Sequence, residues 1–409
     1  MKILIVNYRY FVSGGPEKYM FNLMEKLEAE GHEVINFSVR SNRNKSSPYE
    51  KYFVDPIGGM DQVYYEDYRK TPRTIMQLLS RSSFSPEVKR AVKRIIKETD
   101  PDVVYILHFI NKLSPSVIKG AKETGKKVVV RLSDYFLLCP RFDFLHEDKV
   151  CEDCLTKGYR SCVKKKCVKH STAASLVRVL SMKLHKAMNI YKNVDAFICP
   201  SAFLRDKLVA NGMAPERVHH VLTFTAEMDH DTDRIGRYGL YLGRLSQEKG
   251  ILSLLKAYQM LGPGHQLYIV GNYASDVGKG LMDFVQRNQM KNVTFTGFLA
   301  GDELNKMIQE ARFVCVPSIW YENIPNSVIE AYAAGKPVLC SRIGSMTEMV
   351  EDGCNGLLFE PDNAQEIADC VRRMDEDALV LQMSKNARAS FEEKYTADAH
   401  YQKLMKFLA

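Results

Sequence analysis

Two acids eight positions apart, Glu322 and Glu330, stand in the run PSIWYENIPNSVIEAYAAGKPV over 317–338. Glu322 lies beside Trp320 and Tyr321 in a loop that also holds Pro325, and Glu330 falls in the early turns of the helix expected to follow. Carboxylates so placed can accept from hydroxyl groups or exchange protons with a reacting group. A local alternative stands beside this: Ser327 and Glu330 fit S-x-x-E, in which the glutamate only ties off its own helix. Asn326 and Ser327 would add unpaired helix N–H groups at the same point. A cationic counterpart lies in GRLSQEKG, residues 243–250. Gly243 permits close backbone approach. Arg244 offers a fork of donors and Lys249 a mobile point charge, a pair suited to a diphosphate. Near the start, FVSGGPEK places Gly14 and Gly15 before a helix expected to begin near Pro16, whose N-terminal N–H groups favour an anion. The string is neither GxGxxG nor a P-loop, which weakens a dehydrogenase or ATPase reading.

Five of the ten cysteines, Cys139, Cys151, Cys154, Cys162 and Cys167, fall within 29 residues. The others are scattered through apolar stretches and read as reduced core residues. The opening MKILIVNYRYF reads as a first core strand rather than a signal peptide, and no run approaches 18 uncharged apolar residues. A secreted disulfide scaffold is therefore not expected. Cys151 and Cys154 make a CxxC pair, and four thiolates suit structural zinc in a reducing compartment, although the remaining spacings are not those of a standard finger. Unliganded thiols or a redox pair are the alternatives.

The elements that must position these residues come in two series. KILIVNY, HEVINFSV, DVVYILHF, KKVVVRLSD and DAFICP alternate with helical patterns at 17–29, 86–98, 115–124, 172–190 and 201–210. Near-continuous apolar strands separated by helices imply a parallel sheet covered on both faces. Residues 40–85 show no strong period and read as a surface excursion of a kind that often binds. The second series is YGLYLGRL, HQLYIVG, NVTFTGF, RFVCVPS, KPVLCS and GLLFEP, with helices at 249–260, 280–289, 302–311, 326–334 and 346–351. The expected fold is α/β, two Rossmann-like parallel-sheet domains facing across a cleft. The expected divisions are an N-terminal domain 1–225 with a cysteine-rich insertion 139–170, a linker 226–235, a C-terminal domain 236–392, and a terminal helix 393–409 returning to the first domain. Ligands of such sheets bind outside the strand carboxyl ends, so the site is expected between the domains.

Composition narrows the partners. Forty-five per cent apolar residues is ordinary for a globular chain and argues against disorder. The net charge of +8 is local: residues 157–192 carry ten Lys or Arg and no Asp or Glu, which leaves the remainder at −2. Within that stretch, TAASLVRVLSMKLHKAMNI puts Leu176, Val179, Leu180 and Leu184 on one apolar face. It reads either as a solvated helix packed on the first domain or as a contact with anionic lipid headgroups or a lipid-diphosphate-linked acceptor. No second module or aromatic platform supports nucleic-acid binding.

At GGPEK (14–18), GRLSQEKG (243–250), VTFTGFL (293–299), the E-x7-E pair and AAGKPVLCSRIGSMTEMVEDGCNGLLFEP (333–361), the sequence resembles the retaining glycosyltransferases of GT-B architecture, in the family-4 class (glycosyl transferases group 1). The likeness runs through nearly the whole chain, is most specific across 239–361, and points to a subgroup with a cysteine-rich insertion. It implies a nucleotide-sugar donor, a UDP-sugar first and a GDP-sugar next, and a glycan or lipid-linked saccharide acceptor in polysaccharide or glycoconjugate biosynthesis. It implies a cytoplasmic setting, and the basic stretch adds an expected peripheral contact with the inner face of the membrane. Gly14 and Gly15 would lie at the donor diphosphate or the transferred sugar, and Gly243, Arg244 and Lys249 at the diphosphate. Glu330 would hold the ribose hydroxyls, Glu322 would face the transferred sugar, and Ile324, Pro325, Asn326 and Ser327 would complete the site through the backbone. Lys249→Ala is expected to abolish transfer nearly completely and leave the fold intact. Transfer in this class needs no metal; the insertion would hold structural zinc at Cys139, Cys151, Cys154 and Cys167, with Cys162 spare. One position departs from the pattern: Ser133 stands before Asp134 where related enzymes carry histidine, and Ser133 cannot act as a general base near neutral pH. His108, at the end of the neighbouring strand, is placed to compensate in part. A nucleotide-sugar epimerase and a catalytically weak glycan-binding scaffold are the rival readings.

Overall fold

The computed structural model describes residues 1–59 and 71–409. The first sheet contains β1 (Lys2–Asn7), β2 (Glu33–Phe37), β3 (Val103–His108) and β4 (Lys127–Arg131). A two-stranded antiparallel ribbon, β5 (Leu145–His146) and β6 (Lys149–Val150), interrupts it before β7 (Ala196–Cys199) and β8 (Val218–His220) complete it. The second sheet is built from β9 (Gly239–Leu242), β10 (Leu267–Val270), β11 (Val293–Gly297), β12 (Phe313–Val316), β13 (Val338–Ser341) and β14 (Gly356–Phe359). Their orders are β2-β1-β3-β4-β7-β8 and β11-β10-β9-β12-β13-β14, parallel throughout.

The unbroken apolar runs follow from burial on both faces. In β1, Leu4 and Val6 pack with Val104, Ile106 and Val128 on one side of the sheet. Ile3 and Ile5 pack with Val103, Tyr105 and Leu23 on the other. The second sheet divides likewise, Tyr241 and Cys315 into one core and Leu240 and Val316 into the opposite one. Strand order reverses beside β1 in one sheet and beside β9 in the other. A crevice opens outside the carboxyl ends at such a reversal. The glycine loop follows β1, GRLSQEKG follows β9, and the Glu322 loop follows β12. The chemistry-bearing loops therefore sit at the two switch points.

Within 40–85 the structure differs from the absence of a period: Pro72–Ser82 is a helix, with Thr71 Oγ1 accepting from the Thr74 N–H. Its apolar residues Ile75, Met76 and Leu79 are exposed, so they mark no inward face; Thr71-Pro72 was the readable start signal. Residues 60–70 of that excursion lie outside the described residues. No described helix is long and apolar enough to cross a membrane.

At the other end, the helix Ala397–Leu408 starts at a Thr396 cap and packs on the first sheet. Leu404 and Leu408 enter the core of Ile3, Ile5 and Leu23. His400 lies 2.6 Å by Nδ1 from the Leu222 carbonyl and 3.0 Å by Nε2 from the Tyr19 hydroxyl. Burial pushes the imidazole down to about 3, so it stays neutral in these contacts. Leu404→Ala should destabilise the protein by about 2–5 kcal/mol. A denaturant midpoint unchanged from wild type would show that the last helix carries no such packing.

Candidate active site

The segment after β12 turns Glu322 inward, where it is 6% exposed. Its Oε1 accepts from Lys249 Nζ at 2.6 Å, Ser318 Oγ at 2.6 Å and Trp320 Nε1 at 2.8 Å. Burial alone would raise this carboxyl; the Lys249 ammonium and the three hydrogen bonds outweigh it and hold the group below its ordinary range. Lys249 also lies 5.6 Å from the Trp320 ring centroid, a cation–π contact. The partners are 73 positions apart in sequence, and the pairing of β9 with β12 brings their loops together. Gly250 makes that approach possible: its φ is +66°, and a Cβ there would sit 1.9 Å from the Pro317 carbonyl oxygen. Sequence reasoning gave Gly250 no role.

Glu330 meets a partner from the other domain. Its Oε1 is 2.5 Å from Lys18 Nζ, which the helix Gly15–Ala29 carries. The S-x-x-E alternative is not formed, because the helix Asn326–Ala333 starts after Pro325 and no side chain caps it. Lys18 was visible in GGPEK but unassigned. Two helix N-termini thus approach each other: a Cβ on Gly15 would lie 2.4 Å from Asn326 Nδ2. Gly14, by contrast, has extended backbone and ordinary spacing to its neighbours.

The remaining expected residues are placed less tightly. Arg244 has a 73% exposed side chain and pairs with Glu248 at 3.3 Å, while its carbonyl accepts from the Tyr241 hydroxyl at 2.8 Å. Gly243 has φ +150°. At the end of β4, Ser133 Oγ accepts from Arg131 Nη1 at 2.6 Å, which leaves the serine O–H to donate elsewhere. Arg131 is buried, also donates to Thr223 Oγ1 at 2.6 Å, and stacks 4.0 Å from the Tyr19 ring centroid. A basic residue inside an apolar strand was the missed signal. Asp134 Oδ1 accepts from the Phe136 N–H at 2.9 Å, and Oδ2 lies 3.7 Å from His108 Nε2.

Several contacts fasten the domains around this crevice. Tyr135 donates to the Glu322 carbonyl at 3.3 Å, and Asn323 Nδ2 to the Leu132 carbonyl at 2.9 Å. The β5–β6 segment joins in through Asp148, which accepts from Gln247 Nε2 at 2.6 Å. Glu152 accepts from Tyr321 at 2.8 Å and Lys207 at 2.6 Å.

Among the described residues, no group of three or more His, Cys, Asp or Glu side chains is placed to hold a metal ion, so the zinc expected at Cys139, Cys151, Cys154 and Cys167 finds no support there. Cys162, expected to be the spare, is 1% exposed and hydrogen-bonded to Cys167. Cys151 accepts from Lys165 Nζ at 3.3 Å. Burial, with neighbouring sulfurs second, pushes the thiols of Cys154 and Cys162 up to about 12, so they stay protonated.

Across the crevice, Glu348 in the second domain accepts from the Ala202 and Phe203 N–H groups at 3.0 and 3.2 Å. These begin the helix Ala202–Ala210. Burial raises the carboxyl from 4.5 to about 6 despite those donors. A raised folded-state value means that the group's contribution is complete below pH 4.5 and is lost as pH climbs through 6. Relative to Glu348→Gln, the wild type should therefore lose thermal stability across that window. Parallel melting-temperature curves for the two proteins would contradict it.

Residues 13–224 match the profile of Glycosyltransferase Family 4, and residues 236–377 that of Glycosyl transferases group 1. The lipopolysaccharide 1,2-N-acetylglucosaminetransferase of Salmonella typhimurium is 34% identical over 167 residues, 38% of this chain and 44% of that protein. The chain spans about half the length of the curated relatives it matches, from 41% to 56% for the first three. Among solved structures, sucrose-phosphate synthase from Thermosynechococcus elongatus superposes with TM-score 0.71 at 20% identity, covering 99% of this chain and 97% of that one. Anabaena HepE in complex with UDP and glucose gives 0.67 at 17%, covering 100% and 99%. The two-sheet fold is thus that of the GT-B proteins.

Proposed function

The chain belongs to glycosyltransferase family 4, and from that premise we propose that it moves a hexose-type sugar from a nucleoside diphosphate to an acceptor hydroxyl, with retention of anomeric configuration. The observation that carries this reading is the meeting of two helix N-termini, at Gly15 and Asn326, beside the buried Lys249–Glu322 pair. Fixed N–H dipoles and cations at one point suit a diphosphate that gains charge as its bond to the sugar carbon breaks. Lys249 and Arg244 neutralise that charge. Lys18 takes Oε1 of Glu330, and the reading gives Oε2 to the donor ribose. Ser133, whose oxygen is engaged by Arg131, donates its hydroxyl proton toward the sugar.

UDP is the donor nucleotide favoured, since HepE, with the same fold, binds UDP and glucose. A glycan or lipid-linked saccharide acceptor is favoured by the Salmonella relative, a lipopolysaccharide N-acetylglucosaminetransferase. Transfer is assigned to the side chains and helix termini named above, with no step given to a metal ion.

The structure changes what Lys249→Ala should do. Besides lowering transfer by about 10²–10³, it strands a buried carboxylate and should destabilise the fold by about 3–5 kcal/mol, so an intact fold is no longer expected. Lys249→Ala/Glu322→Gln, which removes that charge, should recover most of the melting temperature and none of the transfer. Recovery of turnover in the double variant, measured as nucleotide released with acceptor present, would refute the role given to Lys249. Nucleotide-sugar consumed equally well without acceptor, with an isomerised sugar as product, would support an epimerase instead.

A further inference from the structure

The helix Thr172–Ala187 packs inward through Ser175, Arg178, Val179, Met182 and His185. Its outer face carries Leu176, Leu180 and Leu184, each four residues from the next, at 46%, 54% and 41% exposure. Lys183 and Lys186 are exposed in the last two turns of the same helix. The helix Pro72–Ser82 packs against it and exposes Ile75, Met76 and Leu79, the methionine at 71%. The link between the helices includes His185 Nε2, 2.7 Å from the Ser83 carbonyl. Six large apolar side chains held outward on neighbouring helices form a patch of the kind that marks an interaction site.

Charge selects the occupant. The outward leucines belong to the 157–192 stretch with its ten cations and no acid, and Arg160, Lys164, Lys166, Lys183, Lys186 and Lys192 are all exposed. A second copy of this chain would bring the same cations against them and be repelled. An anionic bilayer takes both features together: leucines enter the acyl boundary while lysine stems reach back to the headgroups. At 16 residues the helix is too short to span and lies in the interface plane. We infer that this face docks the protein on an anionic membrane surface through Leu176, Leu180 and Leu184, with the flanking lysines on the headgroups. The docked face is tied to the crevice. Arg178 donates through Nε to the Pro140 carbonyl at 3.3 Å and through Nη2 to the Phe136 carbonyl at 3.5 Å, in the loop that follows Ser133 and Asp134. A membrane-borne acceptor would be presented from that side.

The test is co-sedimentation of the full chain with phosphatidylcholine vesicles containing phosphatidylglycerol, and with phosphatidylcholine alone. Binding should be about tenfold or more tighter to the anionic vesicles and weaken with salt. Leu176→Ser/Leu180→Ser/Leu184→Ser and, separately, Lys183→Glu/Lys186→Glu should each lose about tenfold or more of that binding, with melting temperatures near wild type because all five side chains are exposed. Failure of the wild type to bind, or variants that sediment like it, would overturn the proposal. So would a concentration-dependent dimer that the leucine variant abolishes while vesicle binding persists. No donor or turnover enters this measurement, so its failure leaves the transferase reading to be judged on its own.

Discussion

A carboxylate at 6% exposure is tolerated only where its charge is answered, and the site of this protein is arranged around that requirement at Glu322. Lys249 answers it at 2.6 Å, and Ser318 and Trp320 donate to the same oxygen. Such a pair is weak evidence for stability, because desolvation consumes most of its Coulombic gain. Its effect is positional. Lys249 is held at the mouth of β9 and Glu322 beyond β12, so neither loop can shift without exposing the other's charge.

The same loop couples the domains. Tyr135 reaches the Glu322 carbonyl, and Asn323 donates to the Leu132 carbonyl while accepting from Ser201 at 2.9 Å. Lys18 comes across to Glu330 and Gly15 lies against Asn326. The two acids of the E-x7-E pair therefore each hold a lysine, one from their own domain and one from the opposite domain. A diphosphate arriving between the helix N-termini would meet a charge lattice already in place, the preorganisation that makes electrostatic stabilisation effective.

Much of this was legible in the sequence. Continuous apolar strands announced two parallel sheets because each strand is buried on both faces, and the glycine and GRLSQEKG loops fall where strand order reverses. Non-local partners were not legible. Nothing in spacing pairs Lys18 with Glu330 across 312 positions, or tells that Gly250 must lack a side chain because the Pro317 carbonyl fills its place. Local patterns left alternatives that tertiary contacts decide: Ser327 and Glu330 also fitted a capping box, yet the glutamate turns to Lys18. Cysteine spacing suggested a metal clip, whereas Cys162 and Cys167 are hydrogen-bonded to each other as free thiols and Cys151 accepts a hydrogen bond from Lys165. The Pro72–Ser82 helix escaped because its apolar residues face outward.

The most direct measurement of the central claim, that the Lys249–Glu322 pair and the facing helix N-termini form a nucleoside diphosphate site, is an experimental structure of the protein with UDP bound. It should show the diphosphate within hydrogen-bond reach of Lys249 and Arg244, the ribose on Glu330, and Glu322 still on Lys249. A nucleotide bound elsewhere, or a diphosphate in the crevice that touches neither cation, would contradict it.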